Sequence, residues 1–105
     1  PPLAGNPDLA RDVAFPVLVV LHGLAGAIEV GGTSYDAVMP AFDQLSDAEV
    51  AAVVNYVRSA WGNAQASPRG ASTPEAVAAR RARPMTPASV HDYRSAMNAG
   101  TPAQR

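Results

Sequence analysis

The chain has no cysteine and no lysine. Without thiols it cannot hold a prosthetic group through thioether bonds, and cysteine usage says nothing about its redox compartment. It has no apolar run long enough to span a membrane. Neither an initiator methionine nor a signal peptide is present, and a start at Pro1-Pro2 reads as a processed or truncated chain. Catalytic motifs are missing too: there is no G-x-S-x-G elbow, no phosphate-binding glycine loop and no H-E-x-x-H. The carboxylates of the body sit at caps and turns, so an enzyme in its own right is not expected. A net charge of −1 argues against a general nucleic-acid binder. At 105 residues the chain is one small domain, with a core that is marginal without a cofactor or partner.

The net charge hides an asymmetry. Residues 1–63 hold two Arg against seven acids, −5, whereas residues 64–105 hold six Arg against Glu75 and Asp92, +4. The composition also changes after Asn63, so the chain divides into a body, 1–63, and a helical extension, 64–105.

The body is organised around Tyr35 to Asn63. A loop ends in Met39-Pro40-Ala41-Phe42, and a helix with a well-written start follows. Ser46-Asp47-Ala48-Glu49 is a capping box, with Leu45 and Val50 at the staple positions. Val50, Val53, Val54, Val57 and Trp61 then form one apolar stripe, stopped by Gly62-Asn63. The loop that displays Met39 is thereby pinned to a rigid helix.

Upstream, Pro1 to Asp12 reads as loop. Phe15 to Leu21 reads equally as a buried strand, by its β-branched run, or as a short helix with Pro16 in its first turn and Gly23 as cap. Gly23 to Phe42 is glycine-rich, and Ile28-Glu29-Val30 before Gly31-Gly32 suggests a hairpin. Its glycines either let backbone pass close to a flat ligand or simply turn the chain. Downstream, Thr73-Pro74 starts a second helix through Arg81, and Thr86-Pro87 signals a third over Val90 to Met97, closed by Gly100. The last five residues are expected to be disordered. Both C-terminal helices are short and poor in large apolar residues, which predicts order through docking on another polypeptide.

Met39-Pro40-Ala41-Phe42, Leu45-Ser46-Asp47, Val53 to Arg58 and Trp61-Gly62-Asn63 resemble the carboxy-terminal half of a class I cytochrome c domain. Pro1 to Gly5 and Leu21 to Gly26 fit the same family's middle section. The likeness covers about residues 1–83 and lies nearest to cytochrome subunits of bacterial periplasmic dehydrogenases. It implies an all-α, cytochrome-c-like fold, partial here and followed by a helical C-terminal extension. It decides for a helix over Val13 to His22. It also implies electron transfer through haem c in the periplasm, with Met39 as an axial iron ligand. The family attaches haem through a Cys-x-x-Cys-His segment, which this chain lacks. That segment is expected upstream in the full reading frame or on a contacting chain. A larger dehydrogenase or oxidase subunit is the expected partner, with no nucleic acid and no membrane span.

The residue chemistry agrees with Met39 as a ligand, because a thioether binds haem iron and raises its potential. A methionine without that setting is core filler, which is the reading for Met85 and Met97. Pro40 stiffens the loop. Pro2, Leu3, Leu24, Pro40 and Phe42 are expected around the haem, and Tyr35 either meets the haem, bonding a propionate or packing on the ring, or is a plain loop residue. Trp61 is assigned to the core, while Tyr56 borders a haem edge or a partner surface. His22 has no second ligand at metal-site spacing and reads as a hydrogen-bonded or solvent-facing side chain. His91 carries no assigned role. Arg80, Arg81 and Arg83 form either a solvated helix face or contacts to an acidic partner. The alternative to electron transfer is a haem-free, degenerate or split helical module that docks on a larger enzyme.

Overall fold

Helix α2 (Ala14–His22) is the element on which the other described helices pack, and its sequence explains the ambiguity of its β-branched run. Val17 and Leu21 face one cluster, with Val50, Ala51, Val54 and Val77. Phe15 and Leu18 face another, with Val90 and Met97. A helix covered on two sides has no polar stripe, so its periodicity is lost. Pro16 sits in the first turn, where its missing N–H is no loss. Asp12 Oδ1 accepts the Ala14 N–H at 2.7 Å, and Gly23, at φ 82°, closes the far end through its N–H to Val19 O.

This computed structural model describes residues 3–60, 63 and 71–98. Pro2, Trp61, Gly62, Gly100 and the last five residues lie outside them, and so do the roles assigned to these positions. Among the described residues the chain is all-α apart from one two-stranded hairpin. The first twelve residues are not all loop: a four-residue helix, α1 (Asp8–Arg11), precedes α2. Strands β1 (Ile28–Val30) and β2 (Thr33–Tyr35) pair antiparallel, Ile28 with Tyr35 and Val30 with Thr33. Gly31 and Gly32, at φ 59° and 81°, make the tight primed turn that this register needs.

Helix α3 (Asp47–Ser59) carries the capping box in full. Ser46 Oγ accepts the Glu49 N–H at 3.1 Å, and Glu49 Oε1 accepts the Ser46 N–H at 2.8 Å. Those hydrogen bonds from Ser46 hold the Glu49 carboxyl below the usual carboxylate range. The helix ends at Ser59, earlier than the Gly62-Asn63 stop implies. Asn63 instead works at a distance, donating to Val57 O and Leu3 O while accepting the Gly5 N–H.

The extension corrects a sequence expectation. Helices α4 (Pro74–Arg81) and α5 (Pro87–Asn98) find their packing on their own body: α4 covers α3 and α2, and α5 covers α2. Val77 and Val90 are wholly buried, so each short helix finds the packing that it lacks in isolation. The third helix also begins at Pro87, three residues before Val90, because Thr86 and Ser89 exchange cap hydrogen bonds. The opposite charges of the two halves meet within the chain. Arg94 Nε lies 2.8 Å from Asp8 Oδ2 in a buried pair, and Arg81 Nε lies 2.7 Å from Asp47 Oδ1.

Candidate functional site: an apolar cavity beneath Met39

Between α2, α3 and the loop after β2 lies a cavity of about 370 Å³. Phe15, Pro16, Val19 and Val20 of α2 form one wall and Val53, Val54 and Val57 of α3 another. Tyr35, Ala37, Val38 and Met39 close a third side, with Leu3, Leu9, Leu24 and Ile28 at the margins. Asn6 and Asp8 are the polar exceptions among the lining side chains, beside the phenol of Tyr35. The stripe of α3 therefore divides. Val50 and Val54 are wholly buried, whereas Val53 is 45 % exposed. Leu3 and Val38, also on the lining, are 45 % and 71 % exposed. So much open apolar surface around one concavity is the mark of a surface made to be covered.

Met39 is fastened to the wall by its backbone. Its N–H donates to Leu24 O at 2.8 Å and its carbonyl accepts the Leu24 N–H at 3.1 Å, an isolated antiparallel bridge. The close approach is possible because Gly23 has no side chain: a Cβ there would lie 2.6 Å from Met39 O. Three residues on, the Phe42 N–H donates to Val20 O at 2.8 Å.

The structure thus brings Leu3, Leu24, Tyr35 and Met39 to one cavity. Pro40 and Phe42 are not on its lining: both are exposed, and Phe42 is anchored to α2 through its backbone. Their place is in the loop that carries Met39. Met97 is core beside Phe15, and Met85 is packed partly buried against the same cluster. Tyr56 is largely exposed on α3.

Neither described histidine reaches the cavity lining. His22 Nε2 lies 3.4 Å from Arg80 O, and His91 Nε2 lies 2.7 Å from Ala27 O. The His91 ring rests against Gly26 on the cavity margin, where a Cβ would lie 2.7 Å from Cδ2. His91 is a fastening the sequence did not reveal, since its acceptor is a backbone carbonyl 64 residues away. Asn63 is another, for it ties down Leu3. Arg58 is a third: it is buried and reaches Leu9 O, and burial pushes its pKa below the ordinary value against the pull of Asp12.

Among the described residues no group of three His, Cys, Asp or Glu is arranged to hold a metal ion, and no helix is long and apolar enough to cross a membrane. The cavity offers apolar walls and one soft sulfur. That donor set suits a large, flat, apolar group whose metal accepts a thioether, and haem is such a group.

No protein-family model matches the chain. Over 96 residues it is 44 % identical to cytochrome c-552 of Thermus thermophilus, across 86 % of this chain and 72 % of that protein. It is equally similar to a second, longer cytochrome c-552 of Thermus thermophilus, where it spans 64 % of the relative's length. It is 42 % identical over 65 residues to the cytochrome c subunit of the quinone alcohol dehydrogenase of Gluconobacter oxydans. That match covers 60 % of this chain and 13 % of that subunit.

Proposed function

This chain belongs to the class I cytochrome c family, and on that premise we propose that it carries electrons through a haem c seated in the apolar cavity, with Met39 as one axial ligand. The observation that carries the reading is the placement of the Met39 backbone. Two hydrogen bonds to Leu24 and the missing side chain of Gly23 hold Met39 on the cavity wall. The cytochrome homologues support electron transfer by haem and a carrier in place of an enzyme. Supplied with iron at that position, the site performs one-electron exchange, with no bond made or broken in a substrate.

The chain's own residues do the rest. The Met39 thioether favours the ferrous state over what a harder donor would give. Val19, Val20, Leu24, Val53 and Val57 exclude water, which disfavours the extra charge of the ferric state. Asn63 keeps Leu3 at the rim, and Tyr35 offers a phenol to a propionate. The second axial ligand and the attachment cysteines come from a Cys-x-x-Cys-His segment outside this sequence, on the same reading frame or a contacting chain. A periplasmic location and service to a larger dehydrogenase or oxidase subunit complete the proposal. They are supported by the similarity to the dehydrogenase cytochrome subunit.

Visible absorption of the protein expressed from its full reading frame tests the reading. A Soret band and a weak red band from iron–sulfur charge transfer are expected. Met39→Ala should abolish the red band and lower the reduction potential while the helical content is kept. No Soret band in the purified assembly would leave a haem-free module that docks on a larger enzyme. A Soret band with the red band intact in Met39→Ala would show that Met39 only packs.

A further inference from the structure

We propose that Arg81, on α4 of the C-terminal extension, is a positioning residue for Met39, an inference that rests on the reading of Met39 as an iron ligand. Between the Leu24 bridge and the Ser46 cap the chain runs through Pro40 to Leu45 without regular secondary structure. At its upstream end the loop is held by the bridge and by the Phe42 N–H on Val20 O. At the downstream end Leu45 packs partly buried against the core and donates its N–H to Phe42 O at 3.2 Å, and a single side chain from α4 ties the loop's carbonyls to the extension. Arg81 Nη1 donates to Asp43 O at 2.8 Å, Nη2 to Leu45 O at 2.6 Å, and Nε to Asp47 Oδ1 at 2.7 Å. All three guanidinium nitrogens are engaged, on three residues spaced two apart along the loop and into the first turn of α3.

Two physical points make this more than a surface ion pair. A cation beside the amino terminus of a helix is disfavoured by the helix dipole, so attraction to α3 as a whole does not explain where Arg81 sits. The position is explained by the Asp47 carboxylate together with the two loop carbonyls, which a planar fork reaches at once and a single ammonium does not. A metal–thioether bond also tolerates little displacement, because a site loosened by about 1 Å no longer holds productive geometry. Releasing the downstream end lets the loop sample conformations that carry the sulfur away, and the entropy of that freedom works against ligation. The extension thereby acts on the iron ligand without touching the cavity, whose lining does not include Arg81.

The test uses the haem-bearing protein from the full reading frame. The red charge-transfer band of the ferric form is followed as pH is raised, together with reduction potential and Tm. Arg81→Gln should move the pH at which half the band is lost down by about one unit, a roughly tenfold easier displacement of Met39, given charge-assisted bonds discounted for partial exposure. The potential should fall with it. Arg81→Lys should lie between this variant and the parent. Val77→Ala, which loosens the wholly buried contact of α4 without touching Arg81, should lower Tm but leave the midpoint unchanged. A parental midpoint in Arg81→Gln, or in Arg81→Lys should the first variant not fold, overturns the inference. So does an equal midpoint shift in Val77→Ala, which would make α4 merely structural. Met39→Ala separates the premise: a retained red band there defeats the ligand reading itself, whereas its loss beside an unaffected Arg81→Gln defeats only the role of Arg81.

Discussion

Replacing Gly23 with alanine puts the site geometry to a quantitative test. Gly23 has φ 82° and ψ −177°, a region essentially confined to glycine, so an alanine there is strained by about 1–3 kcal/mol. The new Cβ would also lie 2.6 Å from Met39 O and 3.1 Å from Ala41 N, both backbone atoms without a rotamer to escape into. The two backbone segments must separate, and the two hydrogen bonds of the Leu24–Met39 bridge weaken at about 1 kcal/mol each. The sum is about 3–5 kcal/mol, a large part of the ~5–15 kcal/mol typical of a small domain, and it should lower Tm by more than ~10 °C. Gly31→Ala is the control. It too has positive φ, 59°, but its Cβ meets nothing within 4 Å, so about 1–2 kcal/mol is expected. Urea unfolding of both variants gives the difference, and the red absorption band reports whether Met39 has moved. If Gly23→Ala is no more destabilised than Gly31→Ala and its spectrum is parental, the close approach does not hold Met39 in place.

Asp8→Asn should destabilise by about 3–5 kcal/mol in urea, since it leaves the buried Arg94 guanidinium without its counter-charge. An effect under ~1 kcal/mol would mean that the pair is solvated in solution. Glu49→Gln probes the capping box through pH. Because folding lowers the Glu49 pKa, its contribution is fully present above the ordinary carboxylate range and disappears as pH falls through the lowered folded value. The stability gap between parent and variant, from thermal melts, should therefore be constant near neutrality and narrow on acidification. A gap that widens below the carboxylate range would reverse the assignment.

The parts of the fold legible in the sequence were those written within one turn or one face. The Ser46–Glu49 box, the Thr73 cap, the Gly31-Gly32 turn and the buried positions Val50 and Val54 all depend on neighbours a few residues away. The place of Met39 on the cavity lining was legible for a different reason, since its Pro40, its capped helix and its family likeness coincide. What the sequence concealed depends on long-range partners. The carbonyls that receive Asn63, Arg81 and His91 belong to no residue type, so no pattern of side chains marks them. The mixed signal of α2 has the complementary cause: covered on two sides, it shows neither the period of a helix nor that of a strand.

The misplacement of the extension follows from the same limit. Counting large apolar residues in α4 and α5 predicted too little burial, because the count assumed that each helix must supply its own hydrophobic face. Val77 on α4, and Val90 with Met97 on α5, find burial because α2 presents apolar surface in both directions. The polar remainder is matched one contact at a time, with Arg94 on Asp8 and Glu29 O, Tyr93 on Asp12, and Arg81 on Asp47. Part of the opposite charge of the tail and the body is thus met within the chain. Those ion pairs and hydrogen bonds fix where each helix lies, while the valines supply most of the free energy that keeps it there. The same division of labour holds at Met39, where the apolar walls make the cavity and backbone hydrogen bonds hold the Met39 main chain at its edge.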